Sequence, residues 1–318
     1  MDRRVVLGAG PLGTSVARQL EERGSSVLLA SVLGSGKYDM PGTRPPVLDG
    51  QDVAQITDFT ESAAALYLCL TARYRDWYDE FPPIVAAAIQ GAARSGTRLV
   101  YADDVALYGP VDAALAETLP AAATTRKGAL RAKLAMDVEV AHASGRAWTT
   151  IGRAADMYGP GALDLSLGST FGEQVFRAAL NGKALNLVGD LDAPHTYGYV
   201  DDLARGLITL GDAAEAGGET WHLPTAPTLT RRELVAMAYE HAGNEPRVRS
   251  TTAGEIATRL GSLFRPDLAE ASEVLYQVRQ PLIVDHTKFE TKFGAETTPH
   301  EQAVETTLEW YRAHPSGD

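Results

Sequence analysis

The segment "RRVVLGAGPLGTSVARQLEERG" constrains the fold more than any other part of this chain. A β-branched run leads into Gly8, Gly10 and Gly13, and an apolar-periodic segment follows as far as Gly24. The first glycine permits a tight turn, the second lets backbone approach a pyrophosphate, and the third lets helix and strand pack closely. The helix, opening at Pro11 and Leu12, then turns its unpaired N–H groups toward the phosphates. Alone, G-x-G-x-x-G is a weak signal. Directly after a strand and directly before a helix, it predicts a dinucleotide cradle.

The same alternation continues to about residue 160. "SSVLLA", the end of "ESAAALYLCL", "TRLVYA" and "AWTTIGRAADMYG" read as strands, while "DEFPPIVAAAIQGAARSG" and "RKGALRAKLAMDVEVAHASG" read as helices. Apolar strands alternating with helices predict an α/β fold, a Rossmann-type doubly wound parallel sheet covered on both faces. Residues 1–160 are therefore read as a dinucleotide-binding domain to which 196–222 returns. Residues 161–195 and 223–318 are read as a smaller, mostly helical substrate lobe. Within it, 253–280 could form two helices broken near Arg265-Pro266, with Leu263, Phe264, Leu268, Val274, Leu275 and Tyr276 as an apolar lid. Asp201 and Asp202 are expected to cap the helix "DDLARGL".

The second strand ends at Ala30-Ser31 without the acidic residue that would hold a ribose 2′-hydroxyl and repel a 2′-phosphate. Ser31 and Ser35 are available to a 2′-phosphate, with Lys37 and Arg44 nearby in sequence, so NADP(H) is the expected cofactor and NAD(H) the other option. Asp52 and Val53 fall where the third strand should end, beside an adenine, although a solvated loop acid suits that position equally.

Five motifs in order carry a resemblance: the Gly8–Gly13 turn, "RLVYADDVALYGP", "KLAMD" with Lys133, "GRAADMYGPG" and "HTYGYVDDLARGL". Over nearly its whole length the chain resembles the extended and atypical short-chain dehydrogenase/reductases, the superfamily of NAD-dependent sugar-nucleotide epimerases and dehydratases. The resemblance implies a Ser or Thr four residues before Tyr108, where this chain has Asp104. It also implies a catalytic tyrosine four residues before Lys133, where Ala129 stands; a register on Lys127 meets Ala123 instead. On this alignment Lys133 keeps the ribose, and Leu70, Thr71 and Tyr158 also belong to the cofactor site.

Three explanations remain open: a non-catalytic NADP-sensing protein, an enzyme with a relocated acid, or one whose substrate or solvent supplies the proton. Asp104, Tyr108, Tyr158, His195 and Tyr197 are the candidates for a relocated acid, and Lys133, Asp104, Tyr108 and His195 form the expected catalytic set. For each there is a plainer role: the two tyrosines in packing, His195 in a surface loop. Asp104 should be ionised at neutral pH unless burial raises its pKa. The altered site is similar to the atypical reductases of aromatic polyketide tailoring, which implies reduction of an angucyclinone-like ketone in antibiotic biosynthesis. A sugar-nucleotide epimerase or reductase is the other enzymatic reading, with Arg231, Arg232, Arg247 and Arg249 available for a diphosphate.

A net charge of −12 argues against nucleic acid or anionic membrane as partners. The single cysteine, Cys69, leaves no intramolecular disulfide and reads as a buried thiol. No second His or Cys near His195 suggests a metal. With no signal-like leader and no run of about 20 apolar residues, a cytoplasmic location is expected. A homodimer and a monomer are both allowed.

Overall fold

Strands with apolar residues on both faces need covering on both faces, and this requirement organises the molecule. The computed structural model describes residues 2–32, 44–70, 77–162, 170–251, 273 and 275–315. The first part runs β1 (Arg3–Leu7), α1 (Pro11–Glu22), β2 (Ser26–Val32), β3 (Val47–Leu48), α2 (Val53–Thr60), β4 (Ala65–Leu68), α3 (Trp77–Ser95) and β5 (Arg98–Asp104). It continues with α4 (Arg126–Ala143), β6 (Thr149–Ala154), β7 (Asp156–Tyr158), α5 (Glu173–Leu180) and β8 (Leu185–Leu187). Then come β9 (Pro194–His195), β10 (Tyr197–Tyr199), α6 (Val200–Asp212), β11 (Thr220–His222), β12 (Leu229–Thr230) and α7 (Arg231–His241). Last are β13 (Val248–Ser250), α8 (Thr287–Phe293) and α9 (His300–Ala313).

Seven strands form one parallel sheet in the order β11-β6-β5-β4-β1-β2-β3. Because side chains alternate along a strand, Val5, Leu7, Leu66 and Leu68 pack beneath α2, α3 and α4, while Val6, Tyr67 and Val100 pack beneath α1 and α6. β11 joins β6 at the edge, so the chain re-enters the sheet after the excursion through α5. Helices α5, α7 and α9 build a second core: Val175 and Phe176 of α5, Leu234 and Tyr239 of α7, and Val304, Leu308 and Tyr311 of α9 surround Tyr158 and Tyr197.

Three local expectations change. α3 starts at Trp77, ahead of Pro82 and Pro83, because buried Phe81 anchors its first turn and the Arg126 guanidinium lies 4.2 Å from the Tyr78 ring centre. Asp201 and Asp202 do not cap α6, whose N-cap is Tyr199. Asp201 instead pairs with Ser15 and Arg18 of α1, and buried Asp202 holds Arg205 and both the N–H and hydroxyl of Thr298. Of the expected lid, 253–272 and 274 lie outside the described residues. The rest comprises Glu273 and a 3-10 turn over Leu275–Val278, with Leu275 and Val278 buried.

Candidate active site

Parallel strands finish at one edge, and here the strand order reverses between β1 and β4, which opens a crevice beyond their C-terminal ends. Gly8 takes a φ of +110°, and a Cβ there would lie 2.3 Å from the Cys69 carbonyl oxygen. A Cβ on Gly13 would lie 1.8 Å from the carbonyl oxygen of Gly8. Gly10 stands at the N-cap of α1, with Pro11 opening the helix and Leu12 following it. Backbone stripped of side chains at a helix N-terminus fits the pyrophosphate of a dinucleotide.

The neighbouring positions are more mixed. Ser31 is buried at the end of β2, where its N–H donates to the Pro46 carbonyl at 2.9 Å, and the strand ends Ala30-Ser31-Val32 without an acid. Ser35, Lys37 and Thr71 lie outside the described residues. Leu70 is buried, with its amide nitrogen 3.2 Å from where a Gly8 Cβ would stand. Asp52 caps α2, accepting from the N–H groups of Ala54 at 2.8 Å and Gln55 at 3.2 Å, and Val53 begins that helix. Its carboxylate thus caps the helix start. Burial pushes the Cys69 thiol up to about 12, which leaves it an inert core residue.

Two strand spacings further along the edge, about 10 Å from β1, β5 ends at Asp104. Asp104 Oδ1 accepts from the Ala106 N–H at 2.8 Å, and Oδ2 pairs with Arg131 at 3.2 Å. Burial pushes this carboxyl up, but Arg131 and Lys127 outweigh it and hold the group below the usual range. Asp104 therefore rests as an anion with no proton to give.

The lysine that faces it is Lys127, not Lys133. A helix repeats every 3.6 residues, so Lys127, Arg131, Leu134 and Val138 share the buried face of α4. Lys133 lies on the opposite side, its side chain 59% exposed and paired with Asp137 at 2.9 Å. The i, i+4 spacing where the resemblance implies tyrosine and lysine is thus filled, on the inner face, by Lys127 and Arg131. Glu273 Oε2 accepts from the Lys127 backbone N–H at 2.8 Å, which ties the segment after the undescribed stretch to the start of α4. Behind this pair, Asp103 is fully buried against Arg153 at 3.1 Å and Arg131 at 3.6 Å.

The candidate tyrosines are already occupied. Tyr108 is buried, with its hydroxyl 2.6 Å from Arg153 and 2.7 Å from His222 Nε2, and burial raises its pKa. Tyr158 sits in the second core, 2.8 Å from His300 Nδ1, with its pKa pushed well up by burial. It packs inside that core, against which Leu12 of the glycine-rich turn also rests. His195 is buried in β9, 3.1 Å from Asp156 Oδ2 and stacked on Tyr197 with ring centres 4.4 Å apart. Asp156 also takes the Thr170 N–H at 3.0 Å, so His195 and Asp156 form a fixed pair at the start of β7. Among the described residues no cluster of His, Cys, Asp and Glu is suited to a metal ion. None of the described helices is long and apolar enough to cross a membrane.

Residues 5–223 match the NAD dependent epimerase/dehydratase family. Among solved structures, the chain is similar to MoeE5 in complex with UDP-glucose and NAD, at 19% identity and a TM-score of 0.73 over 98% of this chain and 99% of that one. It is also similar to the dTDP-glucose 4,6-dehydratase DesIV from Streptomyces venezuelae with NAD bound, at 20% identity and 0.74 over 98% and 97% of the two chains. A third is the UDP-glucose 4-epimerase of Thermotoga maritima with UDP-glucose, at 18% identity and 0.76 over 98% and 99%. At these identities the likeness shows a shared fold. No curated protein matches the chain.

Proposed function

This chain belongs to the NAD dependent epimerase/dehydratase family, and from that premise we propose that it is an NADP(H)-dependent ketoreductase acting on an aromatic, polyketide-like ketone. The observation that carries the reading is the set of bonds at the catalytic edge. Asp104 is an anion held by Arg131, and the hydroxyls of Tyr108 and Tyr158 are bonded inside the protein. Epimerisation through a ketone needs a group that takes a proton from a hydroxyl and later returns it. A carboxylate stabilised by two cations is a poor base for that cycle. Reducing a ketone asks only for alignment and delivery of one proton.

The nicotinamide, when bound, supplies the hydride. Gly8 and Gly13 admit its pyrophosphate, and Arg131 and Asp104 fix the polar floor where the carbonyl would rest. The acid-free end of β2 tolerates a 2′-phosphate, which supports NADP(H) over NAD(H). Tyr276 supports an aromatic substrate: its hydroxyl donates to the Ala106 carbonyl at 3.4 Å, which places the ring beside the turn that Asp104 caps. Of the four arginines the sequence offers a diphosphate, Arg247 and Arg249 are exposed and the Nη2 of Arg231 has no partner, while the other contacts of Arg231 and Arg232 are internal. Arg232 is engaged by Asp192 at 2.6 and 2.9 Å, and buried Arg231 donates to the Val188 carbonyl at 2.7 Å. Turnover of a sugar nucleotide remains the second reading, favoured by the UDP- and dTDP-sugar proteins among the similar structures.

The test is a paired screen. NADPH is expected to raise Tm more than NADH, and aryl ketones or quinones to drive NADPH oxidation, whereas UDP-glucose and dTDP-glucose leave both unchanged. Stabilisation and turnover by the nucleotide sugars alone would replace this reading with the second. Tight NADPH binding with no oxidation by any carbonyl would make the protein a sensor.

A further inference from the structure

We propose that Lys127 is the acid of this site: its ammonium gives the proton to the carbonyl oxygen of the substrate. The inference rests on the reductase reading above and names the group that reading leaves unassigned. Lys127 lies in the first turn of α4, buried, on the face turned to Asp104 at the end of β5. Its backbone is held by Glu273, and one turn on, Arg131 grips the same Asp104. Among the described residues, the charged groups acting on it are Asp104 of β5, Arg131 of α4, Asp156 of β7, and Glu273. Burial pulls its pKa below the ordinary lysine value, against the pull of the three carboxylates. A buried ammonium eased toward neutrality gives up a proton more readily than an exposed one.

The chemistry balances. Hydride from reduced nicotinamide forms the new C–H bond, and the C=O π pair moves to oxygen. That oxygen takes a proton from Lys127 Nζ, leaving an alcohol, oxidised nicotinamide and a neutral amine that solvent reprotonates. Asp104 stabilises the ammonium before transfer, which explains why an anion replaces a hydroxyl there.

The experiment compares wild type with Lys127→Met and Lys127→Arg, using Lys133→Met as control. With an aryl ketone that wild type reduces, Lys127→Met should slow single-turnover NADPH oxidation about 100-fold or more, with NADPH Kd altered less than about threefold. The wild-type rate should fall as pH rises through the Lys127 pKa, and that basic limb should vanish in Lys127→Met. Independently of any substrate, the Nζ resonance of Lys127, assigned through Lys127→Arg, should titrate below the ordinary lysine value. A Lys127→Met rate within threefold of wild type, or a loss explained by NADPH Kd, overturns the proposal. Titration at the ordinary lysine value overturns it too, with or without a substrate in hand. If instead the Nζ titration comes out low but wild type reduces no ketone, the reductase reading has failed, and the acid assignment falls with it.

Discussion

Gly13→Ala is expected to weaken nicotinamide dinucleotide binding by roughly 100-fold and to lower Tm as well. The added Cβ would lie 1.8 Å from the Gly8 carbonyl oxygen, about half an ordinary contact distance. Oxygen of the turn cannot rotate away, so α1 must shift outward and take the N-terminus of the helix with it. Overpacking of this kind costs about 1–3 kcal/mol, and 2.7 kcal/mol corresponds to about 100-fold in affinity. Gly24→Ala separates the two effects. Its Cβ meets nothing within 4 Å, though φ is +84°, so it should cost a little stability and leave cofactor affinity intact. Isothermal titration with NADPH reads both variants.

Asp103→Ala should be the most damaging single change to stability, at about 3–5 kcal/mol and a Tm loss of roughly 5–10 °C. Asp103 is wholly buried between Arg153 at 3.1 Å and Arg131 at 3.6 Å, and both guanidiniums are themselves buried. Removing the carboxylate leaves two cations without their shared counter-charge, in a place water does not reach. Asp103→Asn keeps an acceptor and should lose less. Activity should suffer in both, because Arg131 also orients Asp104 at 3.2 Å. Thermal melts followed by circular dichroism give the ranking wild type, Asn, Ala.

Much of the scaffold is legible from short-range signals. The glycines of the first turn, the alternation of apolar strands with helices, and the Thr230-x-x-Glu233 capping box all act within a few residues. The catalytic end is less legible, and α4 shows why. Matching "KLAMD" to a family pattern selects Lys133, whereas the apolar spacing Leu130-Leu134-Val138 marks the buried face and puts Lys127 and Arg131 on it. Helical phase was in the sequence and outranks the motif, because a side chain must face the crevice before its chemistry matters. Asp52 was legible in the same way, as an acid immediately ahead of a helix. Tyr108 and Tyr158 were not. Their partners, His222 and His300, lie 114 and 142 residues away, and only the folded chain brings them together.

On the proposed reading, the crevice at the ends of β1, β4 and β5 passes hydride to a ketone, with Lys127 completing the alcohol. Deuterium at the transferable C4 position of NADPH tests it most directly. One deuterium is expected on the carbinol carbon of the reduced aryl ketone, with stoichiometric loss of NADPH and a slower hydride step in single turnover. Turnover of a nucleotide sugar with no net change in the cofactor and no deuterium leaving it would contradict the account.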